Sequence, residues 1–327
     1  MNIDYFSPFS KAWERMTNAL FRPFDIGKWF VLGFTAFLAQ LLDGGFGGWN
    51  FPGSSNRGGG TNIPDIGRIP ERTADWIHAH PFLVAAILMG IFIFLAIILV
   101  LTWLSSRGTF MFLDNVVHNR ALVAKPWREY QIQGDSLFLW RVGFGIVVTL
   151  LVLTSLVVLF FLIVQAARSH YTPQNIAGII IIGLFGLLGS VVAGYISLFT
   201  HSFVVPIMYR HKLRILQAWH KFLPILKSHF IYFILYGLLF FLLFIVIGIA
   251  AFLTGCLTCC IAFIIMSIPY IGSVFLLPVS FTLRAFSLEF LAQWGADYSV
   301  FYEESSSPDN VPPPPLPSPS GVNGSGI

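Results

Sequence analysis

Three thiols fall at Cys256, Cys259 and Cys260, and two imidazoles, His78 and His80, flank Ala79 just before Pro81. A closed zinc site needs four thiolate or imidazole ligands at defined spacing. The apolar segment around the cysteines offers no histidine and no further cysteine, and no third ligand accompanies the histidine pair. The thiols therefore read as small buried groups packed between helices, with a disulfide open if they face an oxidising compartment. The histidine pair reads as interfacial polarity. His118, His211, His220 and His229 lie beside Lys and Arg, where they suit contacts to lipid headgroups.

Other chemistries lack their parts. The stretch Gly44-Gly45-Phe46-Gly47-Gly48-Trp49 and the later Gly58-Gly59-Gly60 are glycine-rich. A phosphate loop also needs a following helix and, in its Walker form, a Lys with Ser or Thr. There is no His-Glu-x-x-His and no Gly-x-Ser-x-Gly. The ionisable groups nearest membrane depth are Asp43, Arg107, Asp114, His201, Arg284 and Glu289. Such groups are functional candidates by default, but each sits near the end of an apolar run, where a long side chain can reach the interface. Arg284 is the deepest cation and is expected to pair with Glu289 or with an acid from another segment. No catalytic residue, cofactor or metal is assigned, and the chain is expected to be non-enzymatic.

The elements that must carry these groups are apolar. Of 327 residues, 56% are hydrophobic, 16% aromatic and only 10% charged, against about 25% charged in a soluble domain. The mean hydropathy is +0.77. A soluble fold could not hide this much apolar surface, so the solvent for most of the chain is lipid. No basic soluble module points to nucleic acid. A bilayer core of ~30 Å takes roughly 20 helical residues, and six segments qualify: 26–43, 82–104, 141–165, 176–206, 229–254 and 258–291. The last is interrupted at Pro269 and Pro278. No cleavable signal precedes the first segment, which is expected to serve as its own insertion signal.

Charge orients these segments. Fifteen of the nineteen Lys and Arg fall on one side of the alternation, in the N-terminal segment, the 105–141 and 207–228 connections and the end of the last span. The positive-inside rule then places both termini in the cytoplasm of a cell (inner) membrane. The three basic segments resemble one another. Each holds a tryptophan among charges (Trp13 with Arg15, Trp127 with Arg128, Trp219 with Lys221) and each is followed by a cap-type residue, Asp25, Ser136 or Ser228. The returning spans end on Arg107, His201 and Arg284. The expected fold is thus all-α, a polytopic transmembrane bundle of three hairpin repeats with cytoplasmic interfacial helices.

The first interfacial helix is drawn over residues 1–23. Ser7 is its expected cap and Pro8 its first helical residue. Phe9, Trp13, Met16 and Leu20 share a face with Ala12 and Ala19, suited either to the headgroup region or to the protein's own cytoplasmic surface. The stretch around Leu213–Leu226 reads alike, kinked by Pro224. Residues 24–302 form the membrane domain, including a glycine-rich extracytoplasmic loop over 44–81. Residues 303–327, rich in proline and serine, form a disordered cytoplasmic tail that offers a proline-rich partner motif. Gly186 and Gly189 suit close helix packing within the chain.

Two stretches carry a resemblance. Phe21-Arg22-Pro23-Phe24-Asp25-Ile26-Gly27-Lys28-Trp29-Phe30 and Phe281-Thr282-Leu283-Arg284-Ala285-Phe286-Ser287-Leu288 resemble a group of prokaryotic multi-pass proteins similar to the membrane domain of glycerophosphoryl diester phosphodiesterases. The resemblance implies a helical membrane domain without the catalytic barrel and transfers no functional residue. The expected partners are membrane lipids with anionic headgroups. They would meet a basic collar of Trp13, Arg15, Arg107, Trp127, Arg128, His201, Trp219, Lys221 and Arg284. The expected role is organising or sensing lipid at the cytoplasmic face; the alternative is a small-solute transporter or channel built from the hairpins.

Overall fold

A computed structural model describes residues 3–41, 78–168, 173–258 and 261–301. The described residues hold helices and no strand. The glycine-rich stretches, Asp43, Cys259, Cys260 and the proline-rich tail lie outside them.

Helix α1 spans Phe6–Phe21 and α2 spans Ile26–Gln40. Tyr5 holds the N-cap position of α1, and Asp4 ahead of it supplies the acceptor, its carboxylate accepting from the Phe6 and Ser7 amides at 3.0 and 3.2 Å; the expected cap Ser7 lies within the first turn. Ala12, Met16, Ala19 and Leu20 form the buried strip of α1, and it packs on the last long helix. Trp13 remains 56% exposed, so the apolar face splits between protein and surroundings. Asp25 caps α2 as expected, accepting from the Gly27 and Lys28 amides.

Helix α3 (Pro81–Val117) returns alongside α2. Gly108 makes the approach possible, since a Cβ there would lie 2.6 Å from that of Leu38. After a short α4 (Ala124–Glu129), α5 runs from Gln131 to Arg168 and α6 from Pro173 to Phe199. At ~1.5 Å per residue, the 37 residues of α3 reach about 55 Å, well beyond a ~30 Å hydrocarbon core. The apolar first half of α3 is therefore exposed while 105–116 is buried, apart from Arg107, which is half-buried. Gly186 and Gly189 sit against Ser155 and Leu151 of α5, so these glycines pack the chain against itself.

A π-helical turn, Thr200–Val204, links α6 to α7 (Val205–His211). Helix α8 (Ile215–Ser228) carries Pro224 without ending there, and α9 spans Phe230–Leu257. The last apolar segment is three helices, not one: α10 (Ile261–Ser267), α11 (Ile271–Phe275) and α12 (Leu277–Ala292). Pro269 lies between the first two, whereas Pro278 opens α12, where its missing amide costs nothing. A 3-10 turn, Ala296–Tyr298, follows.

Two of the three cap assignments need correction. Ser136 lies inside α5 and accepts the Ile215 amide at 3.1 Å. Ser228 ends α8, and its hydroxyl donates to the Ile225 carbonyl. Cys256 is exposed, contrary to the buried reading.

Four helical runs, Pro81–Val117, Gln131–Ala166, Pro173–His211 and Phe230–Leu257, are long and apolar enough to cross a membrane; Ile26–Gln40 is apolar but shorter. The core is aromatic and lies at one end of the bundle. Phe203, carried by the π-turn, meets Phe222, Phe233, Tyr236 and Phe290 with ring centroids 4.7–5.9 Å apart. The other ends of α3, α5, α6 and α9 expose apolar side chains.

Candidate functional site

Above the aromatic core the bundle opens into a partly open cavity of about 590 Å³. Its polar wall begins at the π-turn. The Val205 amide donates to the Thr200 carbonyl, an i to i+5 step. In that register the His201 carbonyl would need the amide of residue 206, which is proline and has none. This carbonyl accepts from α12: Arg284 Nη1 donates to it at 2.7 Å. Arg284 is only 4% exposed, and its Nη2 lies 3.5 Å from His201 Nε2.

Arg141 enters the cavity from α5, where its Nη1 donates to Ser105 Oγ at 3.0 Å. That hydroxyl donates in turn to the Ala39 carbonyl at 3.1 Å, which ties the arginine to the α2–α3 pair. Deeper, Tyr236 and Ser287 share a hydrogen bond of 2.9 Å. Hydroxyls of Thr102, Ser197, Thr200, Ser202 and Ser280, with Gln40, complete the polar lining, while Phe112, Trp140, Phe144, Phe240 and Phe244 form an aromatic wall. No Asp or Glu occurs among the described lining residues.

Depth follows from helix geometry. Arg284 is eight residues from the end of α12, Arg141 ten from the start of α5 and His201 ten from the end of α7. At ~1.5 Å per residue they lie about 12–15 Å inside the bundle. Two guanidinium groups supply the positive charge at that depth, with the His201 imidazole and several hydroxyls as polar neighbours, and paired guanidinium groups are matched to a carboxylate or phosphate.

The structure distributes the expected collar. His201 and Arg284 line the cavity together. Arg107 chelates Asp135 with bonds of 2.9–3.0 Å. Its guanidinium lies over Trp103 and Trp127, at 4.6 and 5.2 Å, so Trp127 serves that ion pair. Arg15 binds Glu289 at 2.7 Å and covers Phe301 at 3.8 Å. Of the two partners expected for Arg284, this corrects the first: Glu289 of α12 pairs with Arg15 of α1. Lys221 binds Asp297 at 2.7 Å, and Trp219 packs on Trp140 and Phe222. Trp13 and Arg128 are exposed. Only two of the nine therefore meet at one site, and most of the others join neighbouring elements.

A second cluster lies at the core end. Buried Asp114 accepts from Arg120 and from the Tyr209 hydroxyl, the latter at 2.8 Å. Tyr130 stacks on Tyr209 at 4.7 Å, and burial pushes its phenol up to about 12. These charges answer one another, and the cluster joins α3 to α7. His78 and His80 are exposed, and among the described residues no three His, Cys, Asp or Glu gather as a metal site.

Sequence reasoning counted Arg141 among the basic residues without marking it as a site residue, because the apolar run begins there. The helix begins ten residues earlier, which places Arg141 inside the bundle. The available signal was the pairing of Thr200-His201-Ser202 with Pro206 inside an apolar run.

The fold and cavity define an all-helical protein with apolar helices compatible with a membrane and a basic, amphipathic cavity between them. The chain belongs to a family of unknown function (DUF7544), whose model matches residues 4–300. No curated protein and no solved structure matches it, and the resemblance to the phosphodiesterase membrane domain finds no support in these comparisons.

Proposed function

We propose that the chain is a non-enzymatic integral membrane protein that holds an organic anion within its bundle. The observation that carries this reading is the convergence of Arg141, His201 and Arg284, from three different elements, on one cavity of about 590 Å³. Cations at depth favour an anionic partner, because low polarity strengthens the attraction that water would weaken. The bound group would be a carboxylate or phosphate. Lipid handling and solute transport both use such a site, and the aromatic wall favours the former.

The same proposal includes six crossings. Helix α2 and the α10–α12 segment would complete the four long helices as three hairpins, α2 with α3, α5 with α6, and α9 with α10–α12. The fifteen-to-four division of Lys and Arg supports cytoplasmic termini in the cell membrane. Cysteine substitution tests this arrangement on intact cells, in a background with Cys256, Cys259 and Cys260 all replaced by serine. Cysteine at His78 should react with an impermeant maleimide, and cysteine at Lys125 only after permeabilisation; the reverse pattern would invert the topology.

Anion binding is tested on the purified full chain in phosphatidylcholine nanodiscs. Benzoate should raise the thermal midpoint saturably, as any ligand selective for the folded state must, and Arg141→Gln should weaken the effect about tenfold. A midpoint insensitive to benzoate, oleate and phosphate alike would remove the reading.

A further inference from the structure

One face of α9 changes partners along its length. Phe233 and Tyr236 are fully buried in the aromatic core. One and two turns further, Phe240 and Phe244 continue the stripe but line the cavity. Phe244 is 47% exposed. Helix α9 packs along α8 and α10, near its two ends, more closely than along any other element. Phe244, midway along α9, is thus both wall of the partly open cavity and exposed surface, which puts the cavity's edge at the middle of this helix. Across the cavity, Trp140 and Phe144 of α5 lie stacked with ring planes 3° apart, so the apolar wall has two sides and the donors lie at its inner end.

We propose that the ligand is an anionic amphiphile drawn sideways from the bilayer past the middle of α9. Its head is held among Arg141, His201 and Arg284, and its chain runs between Phe144 and the Phe240–Phe244 stripe. This inference rests on the anion-binding reading above and adds the source and chemistry of the ligand. A soluble anion would gain from the guanidinium groups but nothing from the aromatic walls. An uncharged lipid would gain from the walls but nothing from the positive charge of the two guanidinium groups. Only a ligand with both parts matches both ends of the cavity.

The test uses the full chain in phosphatidylcholine nanodiscs and an oleate analogue with a photoactivatable diazirine on its chain. Adducts are mapped by peptide mass spectrometry. Labelling should concentrate on the α5 peptide holding Phe144 and the α9 peptide holding Phe240 and Phe244. Excess oleate should suppress it at least tenfold, and oleyl alcohol or benzoate at the same concentration should not. Arg141→Gln with Arg284→Gln should reduce it by a similar factor. Should that pair fail to fold, Ser197→Trp, an exposed rim position set to plug the mouth, should reduce labelling at least fivefold. Equal suppression by oleyl alcohol, or labelling unchanged in these variants, would overturn the proposal. Equal suppression by benzoate would overturn the amphiphile while leaving anion binding standing; no response to any anion would end both.

Discussion

Arg284 Nη1 donates to the main-chain carbonyl of His201 at 2.7 Å, and Pro206 stands where the π-register would otherwise bring that carbonyl an amide. A proline within a helix removes one amide from the ladder, and a π-turn moves the vacancy to a different carbonyl. Here the vacancy falls where a buried guanidinium can fill it. The arrangement turns a helix defect into a fixed mounting for a cation, with the remaining guanidinium atoms beside a cavity.

A double-mutant cycle isolates this relationship. Arg284→Gln should cost about 1–3 kcal/mol in the wild-type background, the usual penalty for stranding a buried polar group. Pro206→Ala restores an amide to the turn. In that background Arg284→Gln should cost less, with a coupling on the order of 1 kcal/mol. Thermal or denaturant unfolding of the purified protein, followed by tryptophan fluorescence, measures both values; additive effects would mean that Pro206 is not what binds the two residues together.

The Arg15–Glu289 pair fastens α1 to α12, and its two ends are unequal. Glu289 is buried and Arg15 is 39% exposed at its side chain. Removing the cation strands a buried carboxylate, whereas neutralising the acid releases an arginine toward solvent. Arg15→Ala should thus cost about 1–2 kcal/mol and Glu289→Gln less than about 1 kcal/mol, solvent screening holding both low. Protease cleavage between α1 and α2 should accelerate in the same order.

Asp297 links the final 3-10 turn to α8. The hydrogen bond from Lys221 is the main cause that lowers its carboxyl below the ordinary 3.8, with the charges of Lys221, His211 and Arg210 adding to it. A carboxyl lowered by folding contributes stability that is complete above its ordinary value and lost as pH falls through its folded value. The wild type should therefore lose thermal stability below about pH 4, and Asp297→Asn should lower the neutral-pH midpoint slightly and remove that part of the acid dependence, so that the two proteins converge as pH falls. Midpoints recorded from pH 3 to 6 decide it.

Part of this arrangement is legible in the sequence alone. The apolar runs locate the long helices, Asp25 caps α2, and Gly186 and Gly189 pack as small residues should. The cavity was not readable, because hydropathy registers where lipid ends and not where a helix ends. Arg141 stands at the edge of an apolar run yet ten residues inside α5. Trp127 has the composition of a headgroup contact but packs on Arg107, a partner supplied by another helix. The Arg284–His201 bond joins residues 83 apart in sequence, and its cause is a proline whose effect depends on helical register.

Gly108 provides a final test of how closely α2 and α3 must meet. A Cβ at Gly108 would lie 2.6 Å from Leu38 Cβ, 2.8 Å from the Leu38 carbonyl carbon and 2.9 Å from the Ala39 amide. Two of these are main-chain atoms, so no rotamer change relieves them and the helices must separate. Gly108→Ala should cost about 1–3 kcal/mol, as overpacking does. It should also weaken benzoate binding, because the same helix pair holds Ser105 and the Ala39 carbonyl behind Arg141. Gly194, with nothing within 4 Å of its added Cβ, is the control: Gly194→Ala should be neutral or stabilise by about 0.5–1 kcal/mol through helix propensity. Equal effects at the two positions would show that the α2–α3 contact does not constrain the bundle.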